Sequence, residues 1–420
     1  MSTRSERFSW CLYDFANSAF PTVIVTALYV LHFKNSVVGN DDPGYSDYLW
    51  GASNSIAAGI VFLTAPLLGA AADLAGRKRA FLAGYALMCI TATGLLYFTG
   101  PGTVTMAMVL VIAAVVGFEG SLVFYNAFLP ELTPIETMGR LSGKGWALGY
   151  VGGFGCLLVF FPLIDNYLIF VGPFVALWYL VFAIPTFIFV KDRSRPVRAP
   201  GSPSIIVLGA KQLFSTLREI RKYRPLVRFL LAYFFYNNAV ITIIIFAVAF
   251  SSDSLAFTDK ENAILVAVLN VVAAPAALLM GWTADRIGPK ATIMITLVLW
   301  LIVVAGAEAA VWPGLFTPSD AKSFFWAVAA LASFCIGGIQ ATSRSFVGQM
   351  APEGQAGQFY GFMAFAGKGS AILGPLVFGI ASDAFDSQRV AIATVGIFFL
   401  VGLVLLSRVP SLADQKKELQ

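Results

Sequence analysis

Two stretches of this 420-residue chain, GAAADLAGRKR at 69–79 and GWTADRIGPKA at 281–291, carry one pattern twice. At an offset of 212, Gly69 matches Gly281, Asp73 matches Asp285, Gly76 matches Gly288 and Lys78 matches Lys290. Each stretch lies between two long apolar runs and reads as the basic turn of a helical hairpin. Two further regions repeat at nearby offsets. YDFANSAF (13–20) aligns with YFFYNNAV (233–240) at 220, pairing Tyr13 with Tyr233 and Asn17 with Asn237. Residues 124–149 align with 342–367 at 218, pairing Pro134 with Pro352, Gly139 with Gly357 and Gly143 with Gly361. Matches in the same order at similar offsets describe a chain of two tandem halves.

Composition says what the halves are made of. Hydrophobic residues make up 58% of the chain and charged residues 12%, against about 25% charged in soluble domains, and the mean hydropathy is +0.79. Long apolar stretches lie near 15–33, 49–72, 80–98, 104–129, 146–164, 167–190, 227–250, 263–282, 291–312, 323–346, 359–381 and 390–406. At about 20 residues per membrane crossing they use nearly all the apolar residues. The expected fold is an all-α membrane protein with twelve transmembrane helices in two six-helix bundles. The bundles are expected at 1–190 and 227–420, the second with a short tail, joined by a linker at 191–226.

The net charge of +5 has to be read by its placement. With the N-terminus on the cytoplasmic side, 23 of the 28 Lys and Arg fall in cytoplasmic segments. Only Lys34, Lys260, Lys322 and Arg389 fall on the other face, and Lys368 lies within a span. Both termini are therefore expected in the cytoplasm, and the excess charge reflects topology rather than a nucleic-acid partner. The single His32 and four scattered cysteines, without C-x-x-C spacing, offer neither a disulfide framework nor a metal site. No cofactor is expected, although a proton or sodium ion can serve as coupling ion. Within the linker, Leu213, Phe214, Leu217 and Ile220 read as one apolar helical face, with Lys211, Arg218, Arg221 and Lys222 largely elsewhere. That pattern fits an amphipathic helix at the headgroup layer or a solvated tether.

The paired turns, of the form G-x-x-x-D-x-x-G-x-K, resemble the loops that join helices 2 and 3 and helices 8 and 9 in the major facilitator superfamily of transporters. Leu74 and Pro289 stand where that pattern has Arg, which puts a charge relay through those positions in doubt. WCLYDFANSAF (10–20), FYNAFLPELTP (124–134), LSGKGWALGYVGG (141–153), GGIQATSRSFVGQMAPEGQAGQFYGF (337–362) and GKGSAILGPLVFG (367–379) resemble its vacuole-effluxer-like, autophagy-related branch. The resemblance covers both halves. It implies a twelve-helix transporter with helices 1, 4, 7 and 10 around a central cavity, and relatives implicated in amino-acid release from the vacuole. It implies no enzyme.

Polar residues inside the spans carry the functional expectations. Asp14, Asn17 and Ser18 share one helix face, which lipid disfavours. Asp14 reads either as a proton or cation site or as an N-terminal helix cap or interfacial anchor near the boundary. Glu119 lies deep in the fourth span, where an ionised carboxylate costs on the order of 3 kcal/mol. It is a candidate proton carrier or a structurally bonded carboxyl. Asn17, Tyr125, Asn126, Tyr236 and Asn237 are candidate substrate ligands, with Lys368 as counter-ion to a substrate or partner of an interior acid. Gly69, Asp73, Arg77, Lys78, Asp285, Arg286 and Arg344 are candidate gating residues. The glycines of the fifth and eleventh spans read as close-packing positions.

The expected function is secondary active transport of a small polar solute, with amino acids as one class and proton coupling. A transporter-fold sensor without flux, or export of another organic solute, stays open. The expected setting is a monomer in a bacterial cytoplasmic membrane, with the bilayer and a small-molecule substrate as partners.

Overall fold

The computed structural model describes residues 2–39, 43–193, 204–385 and 388–410, and every regular element among them is helical. Helix α1 (Arg4–Asn17) starts eleven residues before the first apolar run. A capping box sets this start: Glu6 N donates to Thr3 Oγ1 at 3.1 Å and Thr3 N donates to Glu6 Oε2 at 2.7 Å. Asp14 thus lies in the third turn, and the reading of it as the helix cap is corrected: Thr3 is the cap. Beyond Asn17 the chain widens into π-helical segments at Phe20–Ala27 and Phe33–Val38. Pro21, which lacks an N–H and crowds the preceding turn, opens the first of them.

The remaining long helices are α2 (Pro43–Ala75), α3 (Lys78–Leu95), α4 (Val104–Ala127), α5 (Met138–Phe160), α6 (Val171–Phe189), α7 (Ile205–Arg218), α8 (Arg224–Leu255), α9 (Asp259–Ile287), α10 (Pro289–Ala310), α11 (Pro318–Met350), α12 (Ala356–Phe385) and α13 (Gln388–Ser407). Among the described residues, 11 helical segments are long and apolar enough to cross a membrane, and Ala391–Ser407 is a shorter apolar helix at the twelfth stretch. Both copies of the basic turn need their repeated glycine: Gly76 and Gly288 have φ of +60° and +89°, a conformation costly for other residues.

Packing repeats as the sequence does. In the first half α1 packs on α6, α2 on α4, and α3 on both α4 and α6. In the second half the equivalent pairs are α8 on α13, α9 on α11, and α10 on both α11 and α13. Contact density divides the chain into two compact units. The first comprises Met1–Pro134, Lys144–Thr216 and Ala351–Phe365; the second comprises Ile135–Gly143, Leu217–Met350 and Ala366–Gln420. The start of α5 therefore belongs to the second unit and the start of α12 to the first. Linker residues 194–203 and tail residues 411–420 lie outside the described residues.

Candidate functional site

In the first unit the polar face of α1 lies against the glycines of α5. A Cβ on Gly149 would sit 2.7 Å from Ser18 Oγ, one on Gly153 would sit 2.5 Å from Thr22 Oγ1, and one on Gly152 would collide with the Phe15 backbone. The absence of side chains lets the backbones approach. Asp14 and Asn17 are both buried. Asn17 is 2% exposed, and its Nδ2 is a donor with no hydrogen-bond partner. A buried unpaired amide N–H costs free energy until something accepts from it.

Tyrosines beside this face are already committed. Tyr125 Oη donates to the Trp10 carbonyl and Trp10 Nε1 to the Tyr125 carbonyl, each at 3.0 Å, with the rings stacked at 4.5 Å. Tyr13 and Tyr179 hydroxyls are 2.8 Å apart, and Ser121 Oγ lies 3.3 Å from the latter. Glu119 and Asn126 are half-buried on α4. On either side of Glu119, the backbone of α3 approaches Gly117 and the Tyr85 ring covers Gly120.

The second unit carries the repeated face. Asn237 Nδ2 donates to Ser370 Oγ at 2.6 Å, and the Tyr236 and Ser343 hydroxyls are 2.8 Å apart. Lys368 is half-buried on α12. A cavity of about 90 Å³ in this unit, lined by Phe246, Phe250, Leu269, Val304 and Phe378, has apolar walls with Thr242 at its margin. It lacks the convergent polar groups that hold a polar solute.

The two basic turns build two matching joints. Asp73 accepts from the N–H groups of Gly357 and Gln358 at 3.0 and 2.9 Å, the second and third residues of α12. Asp285 accepts from those of Gly139 and Arg140 at 2.7 and 3.1 Å, the second and third residues of α5. Each carboxylate satisfies free N–H groups at the positive end of a helix. Small residues bring the helices together: a Cβ on Gly69 would overlap Gly357 O, and one on Gly281 would overlap Gly139 O. One turn further, Gly361 meets Ala65 and Gly143 meets Ala277 in the same manner.

Different residues surround the two joints. Lys78, 1% exposed, bridges Asp73 Oδ1 at 3.4 Å and Glu131 Oε1 at 2.7 Å. Arg193 continues the chain of charges, donating to Glu6 Oε1 at 2.7 Å and to the Glu131 carbonyl at 3.2 Å. Asp192 accepts from Arg79 N at 3.0 Å, and burial pushes its carboxyl up from its ordinary value. At the second joint Arg140 Nε donates to Asp285 Oδ2 at 2.8 Å with its side chain half exposed. Arg344 is buried and grips Ser142, with Nε 2.8 Å from Ser142 Oγ and Nη2 2.6 Å from Ser142 O. Arg77 is exposed, and the Arg286 guanidinium stacks 3.6 Å above the Trp282 ring.

Glu131, Glu6, Arg193 and Ser142 were not singled out in the sequence. Glu131 is the one with a visible signal, an acid in FYNAFLPELTP directly after a span. Its partner Lys78 is 53 residues away.

The chain matches the vacuole effluxer Atg22-like family over residues 50–139 and 133–418. It is 31% identical to the MFS-type transporter YxiO of Bacillus subtilis (strain 168), over 97% of this chain and 95% of that protein. The chain belongs to the Atg22-like family of the major facilitator superfamily. It is also 25% identical to autophagy-related protein 22 of Yarrowia lipolytica (strain CLIB 122 / E 150), over 63% of this chain and 50% of that longer protein. Among solved structures, it resembles the human organic anion transporter MFSD10 (TETRAN), with a TM-score of 0.73, 18% identity and coverage of 96% and 98% of the two chains. The E. coli fucose:proton symporter FucP gives 0.73, 15%, 98% and 100%. At such identities these two show the fold alone. As an Atg22-like protein of this superfamily, the chain is a multi-pass membrane transporter of a small molecule and not an enzyme.

Proposed function

We propose that this Atg22-like protein carries a small, polar, zwitterionic solute of the amino-acid class by alternating access, and that the movement is coupled to protons. The observation that carries the reading is Asn17 Nδ2, a buried donor without an acceptor on the polar face of α1. A solute carboxylate supplies the missing acceptor. Asn126 and, in the second unit, Asn237 and Lys368 are the further candidate ligands. Tyr125 in the first unit and Tyr236 in the second have hydroxyls already bonded within their own units and support the polar faces of α1 and α8. The vacuole-effluxer description of the family agrees with movement of a solute across a membrane.

Proton coupling is assigned to Asp14 and Glu119. Asp14 has Phe234 at the repeated position in the second half, so titration on this face belongs to one half. The joints at Asp73 and Asp285, with Lys78, Arg344 and the neighbouring Arg77 and Arg286, form and part during the cycle as gates. The basic turns and both termini face the cytoplasm of a bacterial cell, by the excess of Lys and Arg on that side. The six-plus-six division follows from the repeat, and the chain acts as a monomer.

A thermal-shift screen of purified protein against amino acids, peptides, sugars and organic anions tests the substrate class. Amino acids should raise the midpoint, and Asn17→Ala should weaken that effect roughly tenfold, the value of one charge-assisted hydrogen bond. Stabilisation by sugars or organic anions alone would overturn the assignment. In liposomes, Glu119→Gln or Asp14→Asn should abolish uphill movement while leaving downhill exchange. Full uphill transport by both variants would refute coupling through these acids.

A further inference from the structure

Helix α7 presents two different faces. Gly209 and Thr216 are buried on one of them. A Cβ on Gly209 would sit 3.0 Å from the Ala71 backbone N of α2, and Thr216 Oγ1 donates to Gln358 Oε1 of α12 at 3.3 Å. Gln358 is also one of the two residues whose N–H groups Asp73 holds. Both contacts therefore lie near the level of Asp73. The seven-residue step between them corresponds to about 10.5 Å of helix, so α7 runs across the ends of α2 and α12 rather than along them.

The second face is exposed and apolar: Ile206, Val207, Phe214 and Leu217 are 54%, 45%, 68% and 42% exposed. At about 100° per residue these four positions share one arc, and Lys211 and Arg218 border it. Phe214 and Leu217 of the face expected from the sequence lie on this arc; Leu213, half-buried, falls at its edge toward Gly209 and Thr216, and Ile220 belongs to the separate 3₁₀ turn Ile220–Tyr223. Beyond the helix, Lys222 is paired with Glu219 at 2.7 Å, while Arg221 is exposed.

An exposed apolar arc with a cationic border, on a helix lying across the ends of membrane-spanning helices, matches the boundary between acyl chains and anionic headgroups. We propose that α7 docks on an anionic bilayer leaflet, with its apolar arc in the acyl boundary and Lys211 and Arg218 on phosphate headgroups, and that the docked helix is a strap holding the Asp73 joint closed. The strap role rests on the gating reading above; the docking does not.

The four native cysteines, Cys11, Cys89, Cys156 and Cys335, are all buried, so an introduced cysteine labels selectively in the full chain. Phe214→Cys and Ser215→Cys place a fluorophore on the apolar arc and on an exposed position outside it. In phosphatidylcholine liposomes containing phosphatidylglycerol, shallow nitroxide lipids should quench the label at 214 several times more strongly than that at 215. Amide exchange over 356–360 should slow by roughly tenfold when phosphatidylglycerol is added, the order that two surface cations supply. The Lys211→Gln/Arg218→Gln double variant should lose that effect.

Equal weak quenching at 214 and 215 would identify a solvated tether and overturn the docking. Position 214 shielded from aqueous quencher yet unreached by lipid nitroxide would place a protein partner there, with the same consequence. Quenching at 214 with exchange insensitive to phosphatidylglycerol would overturn the strap. None of these readouts requires flux, so an error in the transport assignment leaves them interpretable.

Discussion

Asp73 and Asp285 make the same pair of bonds to the first turn of a helix, over the same glycine-on-glycine contact, yet they sit in different electrostatic surroundings. At Asp73 the partner is Lys78, shut away from water and shared with Glu131. At Asp285 it is Arg140, half in water. A buried pair depends on every member, because removing one leaves an uncompensated charge in a medium that cannot solvate it. A half-exposed pair has solvent in reserve. The duplicated geometry is thus one helix-end joint built twice, and the unshared charges leave the first copy's cation buried and the second's half in water. The first copy is also the one that α7 crosses, through Gly209 and Thr216.

The largest effects should fall on what the copies share. Gly69→Leu and Gly281→Leu should each slow transport by roughly thirtyfold, equivalent to about 2 kcal/mol of overpacking at the helix crossing, measured as initial uptake rates in liposomes. A strong effect at only one glycine would break the equivalence of the joints. Next come the carboxylates. Asp73→Asn should destabilise the protein by about 3 kcal/mol and Asp285→Asn by about 1 kcal/mol, ranked by thermal unfolding midpoints in detergent. Equal losses would remove the contrast between a joint with a buried cation and one with a half-exposed cation. The smallest effect expected is that of Arg344→Lys, which keeps the charge but forfeits the two-pronged grip on Ser142, costing about 1 kcal/mol. Its midpoint should fall below the wild-type value yet above that of Asp73→Asn.

Much of the fold was legible because a repeat constrains it twice. The glycines of the fifth span read as close-packing positions, and Gly149, Gly152 and Gly153 each lie against residues 14–22. What alignment at a fixed offset cannot give is contact: it says that Gly69 corresponds to Gly281, whereas Gly69 touches Gly357. From the sequence Lys78 reads as a topology-setting charge and a candidate gating residue, and its burial between Asp73 and Glu131 depends on a partner 53 residues distant. Hydropathy placed the first span at 15–33, although the helix begins at Arg4, since capping by Thr3 and Glu6 leaves no mark in an apolar window. The π-helical widening after Pro21 is likewise a backbone effect without a compositional signature. The polar faces of α1 and α8 were visible as residues lipid would disfavour. That Tyr125 is locked to Trp10 while Asn17 keeps an open donor depends on side-chain placement, which spacing does not encode.

Uphill flux tests the central claim most directly. With the full chain in liposomes and an inward proton gradient imposed, labelled amino acid should accumulate above the external concentration, collapse on addition of a protonophore, and enter roughly tenfold more slowly at subsaturating solute in Asn17→Ala. Liposomes that take up no more solute than protein-free vesicles, across the whole panel of amino acids and under either sign of the gradient, would contradict proton-coupled amino-acid transport by this chain.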